Sequence, residues 1–149
     1  MAMVRPAIEK DIPRILELYR QLSFNPEEHQ SPSLDDCRRG VFQEMNALPG
    51  YELLVAEEDG IVVGTTVLAI LPGFAHGTSP FAVVEYVVVG EKHRHQGIGK
   101  LLMDYAIARA KEAGCYKIML TSDKRRKQAH EFYRTLGFEA SAHGFRLYL

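Results

Sequence analysis

The chain has 149 residues, 46% hydrophobic and 25% charged, the balance of an ordinary globular protein with room for one sizeable core. Its formal net charge of −1 excludes a global field that would draw it to nucleic acid or to an anionic membrane, so affinity for a polyanion has to come from a local arrangement. No apolar run approaches the roughly 20 residues that span a bilayer, and the only two cysteines, Cys37 and Cys115, suggest neither a disulfide framework nor a zinc site.

Both cysteines are expected to be small buried apolar residues. Met1 to Pro6 lacks the apolar core of a signal peptide, so a reducing cytoplasm is the expected compartment. No internal repeat, low-complexity segment or linker interrupts the chain, and residues 1–149 read as a single domain.

Val4 to Ala7 forms a short first strand. Asp11 is placed to cap a helix running to about Ser23, with Pro13 tolerated in its first turn. Ile12, Ile15, Leu16, Tyr19 and Leu22 share one helical face. Phe24 to Pro32 is polar and carries two prolines, the composition of a loop. Ser33-Leu34-Asp35-Asp36 then reads as a cap opening a helix that presents Leu34, Cys37, Val41, Phe42 and Met45 and stops before Pro49-Gly50.

Strands over Tyr51 to Glu57 and Ile61 to Leu71 are joined through Asp59-Gly60, residues that supply the positive φ of a tight hairpin turn. A loop from Pro72 to Pro80 leads into the strand Phe81 to Val89. That strand is almost uniformly apolar, which suggests burial on both faces, yet Glu85 sits in its middle. Gly97 to Ala113 is a helix with Ile98, Leu101, Leu102, Tyr105 and Ala108 on its apolar face and Gly114 placed to end it. Tyr116 to Thr121 is a further strand, Lys127 to Leu136 a short helix closed by Gly137, and Phe145 to Leu149 a last strand. The order is β-α-α-β-β-β-α-β-α-β, and the expected fold class is α/β, a mixed sheet with helices on both faces.

The stretch from Val87 to Leu102 is a strand, a polar turn (Gly90 to Gln96), then glycines opening a helix. The first N–H groups of that helix have no partner within it, and the helix dipole adds partial positive charge there. Gly97 and Gly99 remove side chains that would block a ligand's approach, and Arg94 and His95 add donors. The result suits a pyrophosphate. It is neither a P-loop, since no Gly-Lys-Ser/Thr ends it, nor a dinucleotide fingerprint, since the third glycine is lacking. On local physics alone a glycine-containing turn with solvated charges remains the alternative.

Arg94-x-x-Gly97-x-Gly99 after a valine-rich strand resembles the coenzyme A motif (Q/R-x-x-G-x-G/A) of the GNAT family of N-acetyltransferases. Beginning 35 residues after Arg94, the run Ala129-His130-Glu131-Phe132-Tyr133-Arg134-Thr135-Leu136-Gly137-Phe138 is similar to that family's second signature, A-x-x-F-Y-x-x-x-G-F. The element order matches the family fold over essentially the whole chain. The resemblance implies acetyl-CoA as co-substrate and a sheet whose strands splay at the cofactor site, commonly through a β-bulge. It also implies that Val87, Val88 and Val89 border the pantetheine arm, with the backbone of Val87 and Val89 in contact with it. His95, Gln96, Gly97, Ile98, Gly99 and Lys100, next to Arg94, would cradle the pyrophosphate.

The implied reaction is direct attack of a primary amine on the acetyl thioester. An alkylammonium has a pKa of about 10.4 and must lose a proton first, while a leaving thiolate with a conjugate acid near roughly 8.5 benefits from a proton donor. Glu85, two residues before Val87, is the candidate base, acting directly or through water. Its other reading is a carboxylate bonded to a neighbouring strand or positioning substrate. Tyr133 occupies the place where the family has a tyrosine with its hydroxyl near the sulfur, and is the candidate acid. Its other reading is a core tyrosine of an amphipathic helix.

The run Lys124-Arg125-Arg126-Lys127 is either a solvated loop or a contact for the cofactor's phosphates, with Arg126 as the candidate. Ser122 stands where the family often has a cofactor hydrogen bond. His93 and His95 lack a third ligand at a sensible spacing, so no metal is expected. His76 reads as a solvated loop residue. The acceptor pocket is expected from Phe24 to Pro32, Pro72 to Pro80 and Ala142 to Phe145.

The partners expected are acetyl-CoA and a small amine, with no nucleic acid and no membrane. The resemblance points toward phosphate-bearing members and hence an amino sugar or an aminophosphonate. A peptide or protein amine, and a non-catalytic acetyl-CoA sensor, are the competing readings. A homodimer is an expectation by analogy of fold alone.

Overall fold

The computed structural model describes residues 1–23 and 35–149, with the side chains of residues 35–37 left aside. The chain falls into two compact units, Met1–Met119 and Leu120–Leu149, each described by itself. The Ser33-Leu34 cap and the Phe24 to Pro32 loop lie outside the described residues.

The first unit is built on a five-stranded mixed sheet in the order β1-β2-β3-β4-β5. The strands are β1 (Met3–Pro6), β2 (Tyr51–Glu58), β3 (Ile61–Leu71), β4 (Phe81–Val89) and β5 (Ile118–Met119). The first four pair antiparallel in sequence order, and β5 pairs parallel to β4. Asp59 (φ 51°) and Gly60 (φ 78°) turn β2 into β3, the double positive φ of a type I′ hairpin.

Helices cover both faces. Helices α1 (Ile12–Tyr19) and α2 (Asp35–Ala47) lie on one face, where Ile15, Leu18 and Phe42 pack with Leu53, Val55, Val67 and Val88. Helix α4 (Ile98–Glu112) lies on the other, where Ile98 and Leu102 meet Ala56 and Val63. Val55 and Ala56, adjacent on β2, serve opposite faces because strand side chains alternate. A single irregular turn, α3 (Ala75–Thr78), precedes β4, with His76 and Gly77 in left-handed conformation.

Several expectations are corrected. The buried face of α4 runs through Ile98, Leu102, Met103, Ala106 and Ala110, whereas Leu101 and Ala108 are exposed; the outer face carries enough apolar residues to shift the periodicity by about one position. In α2 Val41 is exposed, whereas Phe42 is buried. Asp11 is the N-cap residue of α1, but its side chain makes no capping bond to that helix. Its buried carboxylate instead accepts the Ile8 N–H at 2.8 Å and two bonds from the Arg5 guanidinium, at 2.8 and 3.1 Å. Burial works to raise the pKa of Asp11, but these bonds outweigh it and hold the carboxyl below its ordinary range.

Strand β4 is not buried on both faces, because Glu85 and Tyr86 are exposed. His76 is not merely solvated, since its ring stacks on Tyr116 with centroids 3.9 Å apart. Cys115 is half-buried rather than buried.

The second unit holds α5 (Lys127–Thr135), which Gly137 closes at φ 96°. His130 Nε2 donates to the carbonyl oxygen of Asp123 at 2.8 Å, pinning the turn before the helix. Residues 138–149 carry no regular element, so the expected strand Phe145 to Leu149 is not formed. A lone strand segment needs a ladder partner to satisfy its backbone.

Candidate active site

Two devices in the first unit place the candidate residues. The first is a bulge in β4. Thr65 stands opposite Val88 and Val67 opposite Glu85, so two residues, Tyr86 and Val87, face the single residue Thr66. Tyr86 takes φ 54°, the left-handed position that such a bulge usually gives to glycine, at about 1–2 kcal/mol for a side chain with a Cβ. The buried Thr66 hydroxyl donates to the Glu85 carbonyl oxygen at 3.1 Å and ties down the distorted strand.

Because of the bulge, Glu85 and Tyr86 are exposed in succession where a regular strand would alternate. Pairing of β4 with β5 covers only Ala82↔Ile118 and Val83↔Met119. From Val84 to Val89 the backbone on that side has no strand partner among the described residues. Within the sheet of the first unit, the ladder on that side of β4 therefore stops after Val83.

The second device is the start of α4. The polar turn after β4 contains a 3₁₀ turn, Glu91–His93, then His95 at φ 62° and Gly97 at φ 84°. Gly97 is the N-cap; no side chain caps the helix and its first turn holds no acidic residue. The first intrahelical bond is Leu101 N–H to Gly97 oxygen at 3.0 Å, so the N–H groups of Ile98, Gly99 and Lys100 precede the ladder. A Cβ built on Gly97 meets nothing within 4 Å. Open space, unpaired donors and a dipole's positive end fit a diphosphate.

The side chains around this turn are less free than the motif implies. Arg94 donates through Nε to the Val89 oxygen at 3.3 Å and through Nη2 to Gln21 Oε1 at 3.1 Å, which braces the turn against the end of α1. Gln96 Nε2 donates to the Lys92 oxygen at 3.3 Å, and Lys100 pairs with Asp104 at 2.5 Å. Of the motif's donors, that leaves the exposed His95 ring and the backbone N–H groups at the start of α4 outside these contacts.

Although the residue as a whole is exposed, partial burial of the Glu85 carboxyl raises it above its ordinary range, the direction that suits a proton acceptor working near neutral pH. Tyr51 is pushed up in turn, first by burial and then by the charges of Tyr86 and Glu85. Tyr19, strongly raised by burial and by Tyr51 and Tyr86, stacks obliquely on Tyr86 with centroids 5.3 Å apart. The first unit thus brings together Glu85, Val87 to Val89 and Arg94 to Lys100.

Ser122, Arg126 and Tyr133 belong to the second unit. Tyr133 is half-buried on α5, its ring 5.2 Å from Phe132 and 6.0 Å from Phe138 between centroids. Within the basic run, Arg125 is engaged by Asp123 at 2.9 and 3.0 Å; that pairing holds the Asp123 carboxyl well below its usual range. Arg126 is the N-cap residue of α5.

Sequence reasoning assigned no site role to Thr66, Gln21, Tyr51 or Tyr86, and gave Tyr19 only a place on the apolar face of α1. Only Tyr86, a bulky residue inside a valine run, left a signal. No group of three or more His, Cys, Asp or Glu that could hold a metal occurs among the described residues. No helix there is long and apolar enough to cross a membrane.

Residues 12–138 match the acetyltransferase (GNAT) family. A glucosamine 6-phosphate N-acetyltransferase of Trypanosoma brucei brucei is 32% identical over 93% of this chain and 90% of its own length. The L-amino acid N-acyltransferase MnaT of Escherichia coli is 25% identical over 93% of this chain and 80% of its own. Among solved structures, a transcriptional regulator from Bacillus halodurans C-125 superposes with a TM-score of 0.91 at 31% identity, covering 100% of both chains. The protein belongs to the acetyltransferase (GNAT) family and is an acetyl-CoA-dependent N-acetyltransferase.

Proposed function

We propose that this enzyme acetylates a small primary amine, an amino sugar or its phosphate, by direct attack on the acetyl thioester. The observation that carries the reading is the bulge at Tyr86-Val87, which exposes Glu85 at the start of an unpaired β4 edge. The amino-sugar acceptor is supported by the T. brucei brucei relative, which is named for glucosamine 6-phosphate.

Acetyl-CoA, when bound, supplies an acetyl group already activated as a thioester. In this reading the N–H groups of Ile98, Gly99 and Lys100 bind its diphosphate and the β4 edge from Val87 to Val89 pairs with its pantetheine arm. Glu85 takes the proton from the ammonium, directly or through one water, so that the neutral amine attacks. Tyr133, at the tyrosine position of the family signature, gives a proton to the leaving sulfur. Ser122 and Arg126 add contacts to the cofactor.

The same reading has residues 1–149 working as one domain with no metal and no nucleic-acid partner, in the cytoplasm and as a homodimer. The net charge of −1 and the free thiol of Cys115 support the partner class and a reducing compartment. Fold analogy supports the dimer.

The test is acetyl-CoA consumption measured over a panel of glucosamine, glucosamine 6-phosphate, free amino acids and basic peptides. Turnover on the two sugars above the others is the expected result. Preference for peptides or amino acids would displace the sugar acceptor.

A further inference from the structure

The valine run of β4 contains one residue in a conformation it disfavours. Tyr86 holds φ 54° at the bulge position where glycine is the residue without penalty. A glycine there would form the same bulge and expose the same strand edge, so opening the cofactor side of the sheet does not require a tyrosine. The side chain itself is what the position adds, and strain held beside a reaction centre points to function.

The ring is half exposed, at 50%, and does not fill the core. It leans on Tyr19 with centroids 5.3 Å apart and an interplanar angle of 36°. Tyr51, half-buried at the start of β2, packs with Tyr19 against the same apolar cluster on that face of the sheet. Three tyrosines from α1, β2 and β4 thus gather beside one carboxylate. The cluster therefore presents aromatic faces, hydroxyls and one acid, a lining that favours a cation with an apolar body over an anion.

We infer that Tyr86, supported by Tyr19 and Tyr51, is the specificity wall of the acceptor subsite, holding the ammonium-bearing ring of the substrate against Glu85. The inference rests on the acceptor reading above and deepens it. The wall takes the amino end of an amino sugar, packing on the C–H face of the ring. A phosphate on the same substrate has to be held elsewhere, because this lining would repel it. Tyr86 selects and orients the amine; the proton goes to Glu85.

The experiment compares wild type with Tyr86→Gly and Tyr86→Phe, using glucosamine and glucosamine 6-phosphate as acceptors and calorimetry for coenzyme A. Glycine relieves the backbone at this φ, so Tyr86→Gly should fold with a Tm at or above that of wild type. Its KM for both sugars should rise about tenfold, while its coenzyme A affinity stays within about twofold. Tyr86→Phe keeps the ring face and should hold KM within about threefold.

An unchanged KM in Tyr86→Gly would overturn the wall. So would a rise confined to the 6-phosphate, or a Tyr86→Phe variant as impaired as Tyr86→Gly. If wild type binds coenzyme A yet turns over neither sugar, the acceptor reading itself fails, and the wall as an amino-sugar subsite fails with it. That outcome is visible before any variant is made.

Discussion

Gly64 lies directly beneath Ile98. A Cβ built on Gly64 would come 3.0 Å from Ile98 Cγ2 and 3.1 Å from both Leu102 Cδ1 and the Val88 oxygen. The absence of a side chain on β3 lets the first turn of α4 sit down on the sheet, and so sets where its unpaired N–H groups stand. Gly64→Ala is expected to cost about 1–3 kcal/mol through overpacking. It should also weaken coenzyme A binding, although residue 64 is itself assigned no contact with the cofactor. Chemical denaturation and calorimetry on the same variant check both.

Tyr133→Phe tests the proposed acid. With its hydroxyl removed, kcat is expected to fall about 10²-fold. The aromatic contacts with Phe132 and Phe138 should remain, and with them coenzyme A affinity. Turnover near wild type, with chemistry shown to limit the rate, would remove Tyr133 from the mechanism.

Glu85 should leave its mark on pH dependence. Its pKa is raised by burial, so the carboxylate needed as base is lost as pH falls through a value above the ordinary glutamate range. The acidic limb of kcat/KM should therefore lie above that range and disappear in Glu85→Gln, with activity down about 10²-fold or more. Stability moves the other way. A carboxyl whose folded pKa is raised opposes folding at pH above that pKa, so Glu85→Gln should raise Tm at neutral pH. A variant losing both activity and stability would argue for a structural carboxylate.

Asp11 supplies the contrasting case. Its folded pKa is lowered, so its contribution is complete above the ordinary aspartate pKa and is lost as pH falls through the folded value. Asp11→Asn gives up the two-pronged pairing with Arg5 and should cost about 2 kcal/mol at neutral pH. The difference from wild type should shrink on acidification. Urea titrations at pH 7 and at progressively lower pH measure it.

The elements fixed by local chemistry were legible in the residues. The Asp59-Gly60 turn, the limits of β3 and β4, and glycines opening and closing α4 follow from backbone preferences that act within a few residues. Tertiary effects were not legible. The partner of Asp11 is Arg5 because β1 and the turn before α1 meet, which no spacing announces. The length of β5 is set by where its ladder with β4 stops. Arg94 was readable as a donor but not as a brace to Gln21, since that depends on where α1 ends. The distortion at Tyr86 was half legible: the resemblance implied a bulge where the strands splay, but a valine run with a tyrosine in it reads as a regular strand, and only the register with β3 shows which residues are doubled.

The short ladder between β4 and β5 has one more consequence. An unpaired strand edge is a template that other chains can extend, and here it lies inside a sheet. In a chain kept free of coenzyme A, amide protons on that side of Val84 to Val89 should exchange with solvent far sooner than those bonded to β3. The edge should also invite adhesion between copies on storage. Saturating ligand should slow both processes together, so that the co-substrate doubles as a guard against self-association.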